Sequence, residues 1–291
     1  MRGEFVDLDG VRLYCYAFGS RGAGDPIVLV HGAFTSSHLW QDVLPRLPKG
    51  HRVLVLDLLG HGRSDPPRRA AMTVAAHSHR LALLLGVMGV AKATLVGHGM
   101  GAAICARVAQ QHPDRVTGLT LVNPSLLARE PRDARVSGRL RRLALLVPLW
   151  SRLAPSWLAS TLHAALLPVF AQRSAGAHSL DFYLKSFRTR DGRDSACAQL
   201  KAFSESLDDT FPALVAGALH CPVSLVLGGA DPLMSPGRAE RLQRALSEAS
   251  NNDLACDRLS GVAHMAPEEA PDRLGTIVGE MITTNTQSDF T

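Results

Sequence analysis

Asp231 in "LGGADPLMSP" and His264 in "LSGVAHMAPEEAP" each stand just beyond a short apolar run that closes in glycine. A carboxylate that holds one imidazole nitrogen leaves the other free to take a proton, so the two residue types together can make a general base. A third segment, "ATLVGHGMGAAICARVA", carries Gly97, Gly99 and Gly101 at the junction of an apolar run and a helix-like stretch. "VLVHGAFTSSHLW" ends its apolar run in His31-Gly32, and "VLDLLGHGRSD" ends its own in Asp57, followed by His61 and Asp65. Each residue alone has an ordinary structural reading. A lone Asp or His in a loop is usually structural, and His31, His61 and His98 read as residues that hold loops or pack near a turn. Asp57 and Asp65 read as loop fixers. Ser125 in "LVNPS" follows a strand end, but no base stands beside it.

Position depends on the elements between these segments. "EFVDLDG" and "VRLYCYAFG" are short strand-like runs closing in turn residues, and they predict a hairpin on an antiparallel edge. "PIVLVHG", "RVLVLDLLGHG", "ATLVGHG", "VTGLTLVNP" and "CPVSLVLGG" are continuous apolar runs, as expected of strands covered on both faces, with "LACDRLSG" as a further strand. Helices are predicted from Thr73 to Met88, over "MGAAICARVAQQHP", over "SPGRAERLQRALSEAS" and from Pro267 to Ile282. Alternating strands and helices mean an α/β fold with a parallel, doubly wound sheet. The alternation breaks between about Ser125 and Pro212, a helical stretch punctuated by Pro131, Pro148, Pro155 and Pro168. Strands of the same sheet resume afterwards, so the expected organisation is a core of residues 1–124 and 213–291 with an insertion over 125–212.

Five segments in this order, at these strand ends, closely resemble the α/β-hydrolase fold family with a helical cap, over nearly the whole chain. The resemblance implies a mostly parallel, doubly wound eight-stranded sheet and the chain order nucleophile, acid, histidine. By that order Asp231 matches the acid and His264 the base, while the nucleophile position of G-x-S-x-G is occupied by Gly99. The amides of Ala33 and Met100 match the oxyanion donors. The family's nucleophile sits on a sharp, strained turn, and glycine adopts such a turn without steric penalty. Gly99 therefore keeps the turn and removes the attacking atom.

Three readings of that glycine remain open. The chain is a serine hydrolase inactivated by a serine-to-glycine change at 99, a non-catalytic small-molecule-binding relative, or an enzyme that needs no covalent intermediate. The retained acid, base and anion hole favour the last. In it, Asp231 orients His264, which moves a proton on a substrate hydroxyl, carbon or water while the two amides hold the developing oxyanion. Carbon–carbon bond formation or cleavage, cyclisation, lyase chemistry and water-mediated hydrolysis all belong to this class. A reading from another class exists in the same stretch, since Gly97-x-Gly99-x-x-Ala102 fits a dinucleotide fingerprint. Some ninety residues precede it, and no acidic residue ends the following strand to hold a ribose. No cofactor is therefore expected.

The insertion holds Trp150, Trp157, Phe170, Phe182, Tyr183, Phe187, Phe203 and Phe211, more than half of the chain's aromatic residues. Most form the small core of a cap. The functional reading places Trp150, Trp157, Phe182 and Tyr183, with His31, Gly32, Phe34, His98 and Met265, around a pocket for an apolar, aromatic, polyketide-like molecule. Arg132, Arg135, Arg139 and Arg142 share one helix face. A solvated face is the ordinary reading of that stripe, and docking of an acidic carrier protein the functional one.

The totals bound the rest. The 291 residues are 46% hydrophobic and 20% charged, the balance of a globular protein. A net charge of +5 is carried almost wholly by arginine without interleaved aromatics, so nucleic acid is not an expected partner. No apolar stretch approaches a membrane span and the amino terminus lacks a secretory core, so the expectation is a cytoplasmic protein. Five scattered cysteines have no metal-ligand spacing and suggest no disulfide framework.

Overall fold

A computed structural model describes residues 3–19, 24–68, 70–124, 155–206, 217–251 and 253–288. Eight strands form one sheet: β1 (Gly3–Leu8), β2 (Val11–Phe18), β3 (Gly24–Val30), β4 (His51–Asp57), β5 (Ala93–His98), β6 (Val116–Val122), β7 (Val223–Gly228) and β8 (Leu254–Leu259). Their order across the sheet is β1-β2-β4-β3-β5-β6-β7-β8. The β1–β2 hairpin and the β2–β4 pair are antiparallel, and every other pair is parallel. The chain therefore has the α/β-hydrolase architecture, with the antiparallel pair at one edge as expected.

The apolar runs explain the strands. In β3, Val28 and Val30 enter the core on one face, while Ile27 and Leu29 enter the core on the other. A strand with cores on both sides cannot alternate polar and apolar residues. The first core takes in helix α1 (Val74–Val87) and helix α2 (Met100–Gln111), as well as Leu242 and Leu246 from helix Pro236–Ala249. The second takes in Trp40 and the buried face of the last helix, Leu274, Ile277 and Val278.

Two local expectations are corrected. The closing helix is not one run from Pro267: Ala266–Glu269 is a single turn, and Pro271 starts a separate helix to Ser288. Proline lacks an amide donor and biases the residue before it away from helix, and Ala270 accordingly has φ −142°. A short 3₁₀ turn, Ser37–Trp40, follows β3 where no element was expected, capped by the Ser36 hydroxyl. Four residues are too few to show a period.

Between β6 and β7 the described residues include the helices Pro155–Leu166, Arg173–Leu184 and Arg190–Ser206. Leu158, Leu162, Phe170, Tyr183, Phe187 and Leu200 from this segment join the second core. The expected boundaries at 125 and 212 lie outside the described residues, as do Ser125, Trp150, Phe211 and the four-arginine stripe. No helix among the described residues is long and apolar enough to cross a membrane. Among the described residues the cysteines form no disulfide, and no group of three or more His, Cys, Asp or Glu could hold a metal ion.

Candidate active site

Parallel strands end along one edge of the sheet, and loops leaving that edge are where an α/β fold places its chemistry. His31 follows β3, Asp57 ends β4, Gly99 follows β5, Asn123 follows β6, Asp231 lies three residues beyond β7 and His264 five beyond β8.

His264 and Asp231 meet there. His264 Nδ1 lies 2.8 Å from Asp231 Oδ2, and both side chains are buried. A carboxylate only accepts, so Nδ1 carries the proton in this bond and Nε2 is left to accept. The Leu233 amide donates to Asp231 Oδ1 at 2.8 Å. Burial pushes the Asp231 carboxyl up, but the His264 charge, its hydrogen bond and the Leu233 amide outweigh this and hold it below its ordinary value. The aspartate stays ionised and keeps the imidazole in one orientation.

Asn123 was not singled out from the sequence, where "VNP" reads as turn punctuation. Its Nδ2 donates to Asp231 Oδ2 at 3.1 Å and to the Ala263 carbonyl at 2.7 Å, and its Oδ1 accepts from the Gly228 amide at 3.0 Å. With φ +40° and no solvent exposure, it pins the acid loop and the base loop to the end of β6.

Gly99 caps helix α2 with φ 57° and ψ −117°, a backbone that L side chains rarely adopt. Its amide donates to the Val122 carbonyl at 3.0 Å. The flanking glycines have a different reason. A Cβ on Gly97 would lie 2.3 Å from the Gly101 carbonyl oxygen, and one on Gly101 would lie 2.3 Å from that of Val30. The turn packs on itself and on β3 too tightly for side chains there. Met100 opens the helix, buried, with its amide among the free donors of the first turn.

His98 places this turn beside the base. Its Nε2 donates to the His264 carbonyl at 2.9 Å, and the two rings are 5.0 Å apart. Burial and the neighbouring His264 charge push His98 down to about 3, so it is neutral and structural. His31 is similarly engaged. Its Nε2 accepts from the Leu58 amide at 3.0 Å and its Nδ1 donates to the Gly32 carbonyl at 2.7 Å, with burial lowering it to about 4. Asp57 receives the Ser37 amide at 2.7 Å and the Arg63 amide at 2.9 Å, and so fixes two loops.

The helical segment grips the base loop. The His264 amide donates to the Val169 carbonyl at 3.0 Å. Glu269 accepts from the Ala171 amide and, on its other oxygen, from the Ala263 amide, both at 2.6 Å. Glu268 accepts from the Ser179 and Tyr183 hydroxyls. In the sequence these glutamates looked like the acidic opening of a helix, and no local signal marks their partners in the inserted segment, 85 to 98 residues away.

A cavity of about 610 Å³ lies between the core and this segment. Phe34, Phe182 and Tyr183 line it, and Phe182 stacks on His38 with ring centroids 3.9 Å apart. His31, Gly32, His98 and Met265 are buried and do not line this cavity, nor do Gly99 and His264. Met265 is part of the second core. Trp150 and the side chain of Trp157 lie outside the described residues. Ala33 is partly buried between the two cores, next to Phe34 in the cavity wall.

A family model described as alpha/beta hydrolase fold matches residues 25–271. An uncharacterized protein of Mycobacterium tuberculosis is 39% identical over 110 residues, 38% of this chain and 32% of that protein. A haloalkane dehalogenase of Mycobacterium marinum is 35% identical over 130 residues, 43% of this chain and 44% of that enzyme. The matches thus span less than half the length of these relatives. Among solved structures, an epoxide hydrolase without ligand superposes with a TM-score of 0.78 at 18% identity, covering 97% of this chain and 99% of that one.

Proposed function

The chain belongs to the alpha/beta hydrolase fold family, and from that premise we propose that it is an enzyme of noncovalent acid–base chemistry on an apolar small molecule. The carrying observation is the buried His264–Asp231 pair beside a turn whose residue 99 is glycine. In this reading Gly99 stands where the family carries its nucleophile. His264 Nε2 takes a proton from a substrate hydroxyl, an activated carbon or a water, and Asp231 stabilises the imidazolium that forms. The Ala33 and Met100 amides hold the oxyanion that develops. In this reading a substrate atom or water takes the place of the serine side chain.

A decayed site would be expected to lose its acid or its positioning bonds as well. Here the Leu233 and Asn123 donors to Asp231 are in place, which supports an enzyme over a binding relative. Similar proteins include a haloalkane dehalogenase and an epoxide hydrolase, so bond cleavage with water fits the fold, as do cyclisation, lyase and carbon–carbon chemistry.

The test compares His264→Ala with Gly99→Ala and adds a serine-directed phosphonate. We expect the histidine variant to lose activity, the glycine variant to keep part of it, and the phosphonate to label nothing. Covalent labelling of any pocket residue would overturn the nucleophile-free reading.

A further inference from the structure

The cavity walled by Phe34, Phe182 and Tyr183 carries its charge unevenly. Its lining holds three residues of charged type, Asp57, Arg63 and Lys185. Asp57 is 1% exposed and its two oxygens accept the Ser37 and Arg63 amides, so a ligand does not reach it. Burial lowers His38 and His61, and neither adds charge at neutral pH. Arg63 and Lys185 are exposed, so the charge that a molecule in the cavity meets is positive. Among the described residues neither has a carboxylate partner, whereas Arg12, Arg46 and Arg273 are paired with Asp65, Asp272 and Asp257. Arg63 is also held in place. Its guanidinium lies over the Tyr14 ring at 5.3 Å, and its Nη1 donates to the Tyr14 hydroxyl at 3.3 Å. These contacts fix the group and neutralise none of its charge. Tyr14 packs edge-on against Tyr16 with centroids 5.0 Å apart, and Tyr16 lines the cavity. The Nε–Nη2 edge of Arg63 is left over, the same edge that Arg12 offers to Asp65.

We propose that Arg63 and Lys185 form an anion-recognition site on this cavity, and that the molecule it takes is an aromatic carboxylate. The aromatic body follows from the walls, which include Tyr16, Phe18, Phe34, Phe182 and Phe187. A cavity of about 610 Å³ suits a molecule of fused rings. The carboxylate follows from the two cations: a planar head with two oxygens matches a guanidinium edge, and an ammonium adds a second charge. Arg63 belongs to the loop after β4, and Lys185 ends helix Arg173–Leu184. The bound head is therefore held by the core and the inserted segment together. Neither His264 nor Gly99 lines the cavity, so the recognised carboxylate is a handle and the reacting group lies elsewhere on the molecule.

The site concerns binding, and it rests on the proposed function only for the view that the bound molecule is a substrate. Calorimetric titration at neutral pH compares 2-naphthoate with 2-naphthamide, which has the same body and no charge. We expect the carboxylate to bind about tenfold tighter in low salt, the worth of one charge-assisted hydrogen bond. The ratio should shrink in about 0.5 M salt, because both cations are exposed to solvent. Arg63→Gln and Lys185→Gln should each lower the ratio about threefold while sparing the amide, and the double variant should bring it near one. Lys49→Gln removes the same charge before β4, at the other end of that strand from Arg63, and should leave the ratio unchanged. His264→Ala, which removes the chemistry, should leave it unchanged as well. A ratio near one in the unaltered protein, or no binding of either probe, overturns the inference. So does a preference that survives the double variant. An equal fall with Lys49→Gln would trace the preference to net charge, and a fall with His264→Ala would trace it to the dyad; either result overturns the site. Lys185→Gln decides the case if Arg63→Gln does not fold, with thermal unfolding as the check on both.

Discussion

Asn123 Nδ2 and His264 Nδ1 converge on the same oxygen of Asp231, at 3.1 Å and 2.8 Å. The asparagine also holds the Ala263 carbonyl and the Gly228 amide, so one side chain sets the spacing of the acid and base loops. Asn123→Ala strands both backbone groups and one lone pair of Asp231. We predict a stability loss of about 1–3 kcal/mol by urea unfolding. Activity should fall further than that loss explains, because the carboxylate is then free to turn. Unchanged activity in a folded Asn123→Ala protein would show that the carboxylate needs no such anchor.

Gly99→Ser places a hydroxyl on a turn with φ 57° and ψ −117°. The strain should lower stability by about 1–3 kcal/mol. With the His264–Asp231 pair already aligned, the new hydroxyl completes a triad. We predict measurable hydrolysis of small apolar esters together with loss of the native reaction. A folded serine variant that neither hydrolyses esters nor reacts with phosphonates would mean that His264 does not face residue 99.

Acid should unfold this protein early. Burial lowers His31 to about 4 and His61 and His98 to about 3, and holds His77 well below its ordinary value. Below about pH 6.5 the unfolded chain protonates these rings while the folded chain does not, so stability falls as pH falls. The contribution is complete above the ordinary histidine value and is lost down to pH 3–4. Asp231 adds to this at the acid end, since its depressed carboxyl is protonated there. Denaturant unfolding should show proton uptake from His31, His61, His77 and His98 that grows as pH falls from 7 and approaches four per molecule at pH 5. Uptake near zero from these rings at pH 5 would mean that they reach solvent in the folded state.

Glu268 works in the opposite sense. Burial raises its carboxyl above the ordinary range against the pull of the Ser179 and Tyr183 hydroxyls. Its favourable contribution is present below the unfolded value and is lost as pH rises through the folded one. Glu268→Gln should flatten that part of the profile, so the variant gains on the parent as pH rises from 4 toward 7. Parallel profiles for the two proteins would show that Glu268 titrates as if exposed.

What could be read in advance divides by range. Strands β3 to β7 announced themselves because cores on both faces demand unbroken apolar runs, and glycines, or Asn123-Pro124 after β6, marked where each ended. Asp231 and His264 were legible because each follows such an ending. Asn123 was not, since its three hydrogen bonds reach Gly228, Asp231 and Ala263, more than a hundred residues away. Gln199 was hidden for the same reason: a glutamine in a polar helix carries no local sign that it meets Gly60. His31 was placed in a pocket wall by its motif, and the structure turns its ring to the Leu58 amide and the Gly32 carbonyl instead. Motif order found the loops, while side-chain direction depended on which backbone groups were left to satisfy.

The bonds from Val169, Ala171, Ser179 and Tyr183 to the His264–Glu269 loop couple access to readiness. A helical segment that swings aside as a body to admit a ligand must release the His264 amide and both glutamates. The open molecule then holds its base on a loosened loop, and the base regains its alignment only when the segment returns. A molecule too large for closure would enter and leave unchanged. Size selection would then act on the rate of the chemical step, and the affinity for rejected molecules need not be weak.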